Sequence, residues 1–366
     1  MKVTFPHLGS MYIFCKAVAE TAGIDYVLPP PISNRTREIG EYSTNESVCL
    51  PLKIILGSFV EALEAGADTI VMVGSGPPCR LGLYDRILKV VLQDMGYDFR
   101  WLTIPGMFNW QALLQNRRET IPLRRELSAA NIARFPLALV TGWKKMMWCE
   151  HLEKTAAHMR AVARDPAGVD AALARGLEAL DRAQGLSALK KAGKTAAEEL
   201  SALPKTDREP LKVFMVGEVY TVMEPAINMD IERRLGHLGV IVERSSYFSS
   251  HIRRASRLDR ATLRRRAELL DHARPYLNFD VGAECNVSVA EAVVAVQEGF
   301  DGVVHVYPFS CMPESSAAAA LSAVGSDLGI PVLPLVIDRQ EMGLRIDTLL
   351  EAYVDIMRWR RTGGIL

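Results

Sequence analysis

The sequence predicts an α/β protein with two Rossmann-like parallel-sheet domains that face a cleft and are joined by a helical connector. Three observations predict this. Short apolar runs alternate with longer helix-period segments in two separate regions, residues 2–104 and 211–360. The stretch between them, 118–203, is rich in Ala, Leu, Lys, Arg and Glu, and Pro204 closes it. Each half also carries a strand-like run followed by a Pro- and Gly-marked turn that holds a cysteine. Alternation of this kind implies parallel sheets with right-handed crossovers. The expected domains are 1–117, 118–204 and 205–366.

In the first half, residues 2–6, 26–28, 69–74 and 99–104 read as strands, and 11–21, 48–65 and 84–95 as the intervening helices. The middle segment reads as helical, interrupted by a short apolar piece at 137–141. In the second half, 212–216, 240–243, 302–308 and 332–337 are expected strands, and 224–238, 287–298, 315–328 and 344–360 expected helices. The layout of the halves suggests an internal duplication, although few residues are shared between them.

Composition narrows the function. The chain has 366 residues, 49% hydrophobic and 23% charged, which suits a globular protein of two or three domains. Forty-three basic residues balance forty-three acidic ones, so the total charge gives no footprint for nucleic acid. The dense basic patch, 253–266, falls on a helix-like segment and reads as a solvated face or a partner surface. The N-terminal stretch Met1 to His7 is too short and too soon interrupted for a signal peptide. No apolar run approaches the length that spans a bilayer. The expectation is a cytoplasmic protein with no membrane partner and with reduced cysteines, which argues against a disulfide framework and permits metal binding.

Three of the six cysteines sit in punctuated turns. Cys49 lies in Glu46-Ser47-Val48-Cys49-Leu50-Pro51, Cys79 in Gly76-Pro77-Pro78-Cys79-Arg80, and Cys311 in Pro308-Phe309-Ser310-Cys311-Met312-Pro313-Glu314. Cys79 and Cys311 each follow an apolar run and precede a helix-like segment. A thiol there meets amide donors and the positive end of a helix, which favour the thiolate that binds metal. Three such thiols can hold three irons of a cubane cluster and leave the fourth open, and the turn amides suit hydrogen bonding to sulfur. The bland alternative is that each is a small buried hydrophobe. Cys285, at a loop-to-helix junction, is the reserve ligand, while Cys15 and Cys149 read as packing residues.

Zinc is the competing metal, but no Cys-x-x-Cys or His-x-x-x-His pairing occurs. His151 and His158 share a helical face and read as surface residues. His7 and His305 can face the cleft from strands, with a hydrogen-bonded core histidine as the favoured reading of both. Reactive groups in open α/β sheets gather at the carboxyl ends of strands. Here those ends carry His7, residues 74–79, Glu218 and residues 309–311. Glu46, Arg80, Glu218 and Gln340 are further substrate or ligand-supporting candidates, with caps and surface hydrogen bonds as their alternative. Gly74-Ser75-Gly76 runs into Pro77-Pro78, and Ala192-Gly193-Lys194-Thr195 has Ala188 where a phosphate loop needs its first glycine. Neither supports nucleotide binding, and no Gly-x-Ser-x-Gly elbow supports a hydrolase triad.

As a set, Phe5-Pro6-His7-Leu8-Gly9, Cys49-Leu50-Pro51-Leu52-Lys53, residues 76–84, Gly217-Glu218-Val219-Tyr220 and residues 308–313 resemble the 2-hydroxyacyl-CoA dehydratase superfamily. The branch they resemble is the one labelled acyl-CoA dehydratase activase-related, or CoA-substrate-specific enzyme activase. The resemblance implies an α/β protein holding a [4Fe-4S] cluster through three cysteines, or a double-cubane cluster as in a sister branch. By position, Cys49, Cys79 and Cys311 match the family's cysteine motifs. It also implies an acyl-CoA or small-molecule substrate, a separate ATP-hydrolysing iron–sulfur activator or reductase as electron donor, and a homo- or hetero-dimer. Two departures stand out: Pro77-Pro78 replaces a single Pro before the Cys-Arg pair, and 245–278 is long and basic. The expected function is low-potential reduction or radical dehydration of a 2-hydroxyacyl-CoA-like or small substrate. Its rivals are a non-catalytic electron-relay or scaffold subunit, and a cluster-free α/β protein whose cysteines are structural.

Overall fold

The computed structural model describes residues 1–74, 80–105, 127–256, 260–338 and 345–363. The first half runs β1 (Lys2–Thr4), α1 (Met11–Ala22), β2 (Asp25–Tyr26), α2 (Asn34–Tyr42), α3 (Leu50–Glu64) and β3 (Thr69–Gly74). A 3₁₀ turn (Arg80–Leu83), α4 (Tyr84–Asp94) and β4 (Arg100–Pro105) follow. Three helices come next: α5 (Ala129–Val162), α6 (Pro166–Arg182) and α7 (Leu186–Ser201). The second sheet opens with β5 (Leu211–Gly217), then α8 (Val219–Met223), α9 (Pro225–Asn228), α10 (Ile231–His237) and β6 (Val240–Arg244). After α11 (Phe248–Ser256) and α12 (Arg260–Asp271) come α13 (Cys285–Gln297), β7 (Gly302–Pro308), α14 (Met312–Leu328), β8 (Val332–Ile337) and α15 (Ile346–Arg361).

Both sheets are parallel and share one strand order, β2-β1-β3-β4 and β6-β5-β7-β8. From β1 the chain crosses first to one side and then to the other, and it repeats this from β5. Each sheet therefore reverses direction between its first and third strands, the place where open α/β sheets bind ligands at the carboxyl edge. His7 follows β1, and the Cys79 segment follows β3. Glu218 follows β5, and Cys311 follows β7.

The chain divides into two compact units, Met1–Met147 with Phe248–Leu263, and Trp148–Tyr247 with Arg264–Leu366. Within the first unit, α11 returns to α1 and α5: Phe248 meets Phe14 edge-on at 5.6 Å, and Arg253 stands over the Trp143 ring at 5.7 Å. The core of this unit is α3, apolar on nearly every side, with Ile54, Leu56 and Phe59 fully buried and Phe59 edge-on to Trp101. In the second unit Val289, Ala292, Val303, Leu321 and Val324 pack α13 and α14 onto β7.

Several boundaries differ from the sequence reading for identifiable reasons. Residues 224–238 form α9 and α10 instead of one helix, because Pro225 begins a new turn and Met229 and Asp230 both hold a positive φ, 58° and 57°. The apolar piece at 137–141 lies inside α5, with Pro136 accommodated in the helix. Polar α2 carries little apolar periodicity. A capping box between Ser33 and Thr36 starts it, and Gly40 lets it lie against the backbone of Lys53 on α3. Gly57 returns the contact: a Cβ there would fall 1.9 Å from the carbonyl oxygen of Thr36. This backbone-to-backbone seam fixes the half of α3 that carries Cys49.

Candidate functional site

At the carboxyl edge of the first sheet, the pieces come from the β1 exit, the α3 N-terminus and α4. Cys49 is the N-cap of α3, with extended backbone (φ −65°, ψ 145°) and Pro51 in the first turn. The residue is buried, and its Sγ lies 2.6 Å from the hydroxyl oxygen of Tyr84, the first residue of α4 and only 1% exposed. Tyr84, 35 positions away, went unrecognised from sequence. A Tyr84→Phe protein should lose about 1 kcal/mol in denaturant unfolding and expose Cys49 to faster alkylation by a thiol reagent. An unchanged alkylation rate would show that the hydroxyl does not shield the thiol.

The other candidates of this unit fall less closely together. His7 is half-buried just past β1. Glu46 has an exposed side chain, and its backbone carbonyl accepts a hydrogen bond from Lys53 Nζ at 3.4 Å. Arg80 opens the 3₁₀ turn that leads into α4. Cys79 and Gln340 lie outside the described residues.

The second unit builds a denser polar cluster at the same edge. Cys311 is the buried N-cap of α14, and Ser310 before it holds φ 64°, a strained value for a non-glycine residue. Glu314, in the first turn of α14, turns inward. Its Oε2 lies 2.8 Å from His305 Nε2 and accepts a hydrogen bond from Ser288 Oγ on α13 at 3.1 Å. His305 and Glu314 are 0% and 1% exposed. His305 Nδ1 and Glu314 Oε1 are buried with no hydrogen-bond partner among the described residues. The imidazole stacks on Tyr307 at 4.4 Å between ring centres. His305 is therefore the hydrogen-bonded core histidine that the sequence suggested, now with its partner identified.

Glu218 caps α8 from the end of β5. Its Oε1 accepts the Tyr220 amide at 3.0 Å, and its Oε2 accepts the amide and hydroxyl of Thr221 at 2.9 and 2.7 Å. Burial pushes its carboxyl above the usual range and the charge of Glu314 adds to the rise, while the bonds from Thr221 and Tyr220 act against them. Cys285 is the first residue of α13 and is fully buried. Burial, with smaller contributions from Glu314 and Asp280, pushes its thiol up to about 12. The Cys15 thiol is likewise pushed up to about 12 by burial, beside the Phe14, Met146 and Ile252 cluster. Cys149 is buried on α5, and His151 and His158 are exposed.

Cys49 and Cys311 thus share one local design, a buried thiol as the N-cap of a helix with Pro in its first turn. Each thiol stands at the positive end of its helix, and this setting fits thiolate ligation of a metal cluster. Among the described residues, no group of three or more His, Cys, Asp or Glu is arranged to hold a metal ion. Gly193 of the phosphate-loop lookalike lies within α7, where a Cβ would fall 2.3 Å from the Trp148 ring. That stretch is a helix-packing contact. No helix among the described residues is long and apolar enough to cross a membrane.

No protein-family model matches the chain, and no curated protein matches it.

Proposed function

We propose that the chain is an iron–sulfur protein whose cluster is held by Cys49, Cys79 and Cys311 and which reduces or dehydrates a 2-hydroxyacyl-CoA-like or small substrate. The observation that carries this reading is the shared helix N-cap placement of Cys49 and Cys311. The motif resemblance to the 2-hydroxyacyl-CoA dehydratase superfamily supplies the chemistry. When bound, a cubane cluster provides a low-potential electron and an open, Lewis-acidic iron.

The chain's own residues have definable roles in this reading. The α3 and α14 N-termini stabilise the two thiolates. Tyr84 keeps its hydroxyl on the Cys49 sulfur. Glu218 keeps its proton to a higher pH than an exposed glutamate, which suits it to protonate a departing hydroxyl at the edge of β5. The two sheets, each with its crossover reversal between the first and third strands, are Rossmann-like in this reading, and residues 118–204 serve as the helical link. The electron comes from a separate ATP-hydrolysing partner. Exposed Arg264 and Arg265, in the basic segment, belong to the surface proposed to receive it.

Protein purified without oxygen is expected to carry about four irons and about four acid-labile sulfides per chain. Cys49→Ser, Cys79→Ser and Cys311→Ser should each lower that content, while Cys15→Ser should leave it unchanged. Stoichiometric zinc without sulfide would refute the reading.

A further inference from the structure

We propose that the second unit holds a binding site for a small polyphosphate-bearing ligand at the amino edge of its sheet, opposite the edge that carries Cys311 and Glu218. A cavity of about 840 Å³ opens there, between the end of α5, the approach to β5, the start of β6 and the end of α15. That volume suits a ligand of nucleotide size or smaller. Five arginines line it, Arg160, Arg164, Arg208, Arg358 and Arg361, against the single carboxylate of Glu209.

Four of the five guanidinium groups are held in place, three of them by neutral partners. Arg164 Nε donates to the Lys205 carbonyl at 3.2 Å, Arg358 Nη2 to the Leu238 carbonyl at 2.9 Å, and Arg361 Nη2 to the Pro210 carbonyl at 3.1 Å. A carbonyl fixes a guanidinium without cancelling its charge. The remaining pairings are ionic: Arg361 with Asp301, Arg358 with Asp355, and Arg160 with Asp170 and Glu232. His237, also in the lining, shares Asp170 at 2.8 Å.

Arg358 and Arg361 have a second explanation, since they stand in the last turn of α15 and answer the negative end of that helix. Arg164 and Arg208 have no such account. Both are exposed; Arg208 makes no hydrogen bond or ion pair with any described residue, and both terminal nitrogens of Arg164 remain available. Planar guanidinium forks match phosphate oxygens in pairs, which a lysine surface would not do. No Phe, Tyr or Trp lies in the lining among the described residues, so recognition falls on the phosphates and not on a stacked base. This differs from a phosphate loop, in which backbone amides of a glycine-rich turn hold the anion.

Calorimetric titration of the full chain with inorganic pyrophosphate, and separately with ADP, tests the site. Both are expected to bind, within a few-fold of each other, and more weakly as salt rises. An Arg164→Gln/Arg208→Gln protein should lose roughly tenfold or more in affinity for both. The control is Arg175→Gln/Arg182→Gln, which removes the same charge from the exposed pairs with Glu199 and Glu178 and should bind as the parent does. Both variants alter exposed side chains, and their thermal unfolding should match the parent. Absent binding by the parent, undiminished binding by the first variant, or an equal loss in both variants would each overturn the proposal.

Discussion

Gly217→Ala is expected to cost on the order of 4 kcal/mol or more, the largest effect of any single methyl addition near the second sheet's carboxyl edge. Gly217 ends β5 at φ 140°, where L side chains rarely go, and a Cβ built on it would fall 1.9 Å from the carbonyl oxygen of Val306. That oxygen belongs to β7, a central strand paired on both sides, and it accepts the Glu218 amide at 3.0 Å. Neither strand can yield without breaking the ladder. Gly299→Ala separates the two contributions. Gly299 also has a positive φ, 77°, but nothing lies within 4 Å of its Cβ position, so strain alone should cost about 1 kcal/mol. Urea unfolding of both proteins reads the difference. If the two midpoints fell by similar amounts, close strand approach at Gly217 would not be what places Glu218 at the strand end.

Legibility of the fold followed burial. Strands such as β3 and β7 are continuous apolar runs closed by Gly or Pro, and α13 and α14 carry apolar or small residues on most faces, so all of them stood out in the chain. Elements stabilised by backbone contact did not. In α2, only Thr36 and Gly40 are buried, and the helix is held by a glycine seam that hydrophobic periodicity cannot register. The turn at Met229 and Asp230 was equally silent, because Met does not advertise a positive φ and a single Asp is only a weak signal of one. For the site, Pro punctuation was enough to place Cys49 and Cys311 at helix starts, since a Pro in the first turn is a local signal. Pairings across elements leave no such mark. Ser288 meets Glu314 across 26 residues and Cys49 meets Tyr84 across 35, and only the sheet topology brings them together.

Glu314→Ala is expected to cost about 3–5 kcal/mol, because it strands His305 Nε2 and Ser288 Oγ in a dry interior with nothing to accept from them. Glu314→Gln keeps an acceptor oxygen at the same place and should cost only about 1–2 kcal/mol. His305→Phe alone should also be severe, since it leaves the Glu314 carboxyl with Ser288 as its remaining hydrogen-bond donor. Combined with Glu314→Met, however, it removes the partners together and fills similar volume with apolar groups. The double protein should therefore be more stable than the sum of the single losses predicts. A double-mutant cycle in urea measures this, and additive losses would show that the pair is not coupled. Iron content of anaerobic Glu314→Gln protein then separates two roles. The first turn of α14 carries both Cys311 and Glu314, so a variant that preserves the turn should retain its iron. Iron lost from a stable, folded Glu314→Gln protein would mean that the carboxylate itself, and not the helix turn it anchors, supports the Cys311 thiolate.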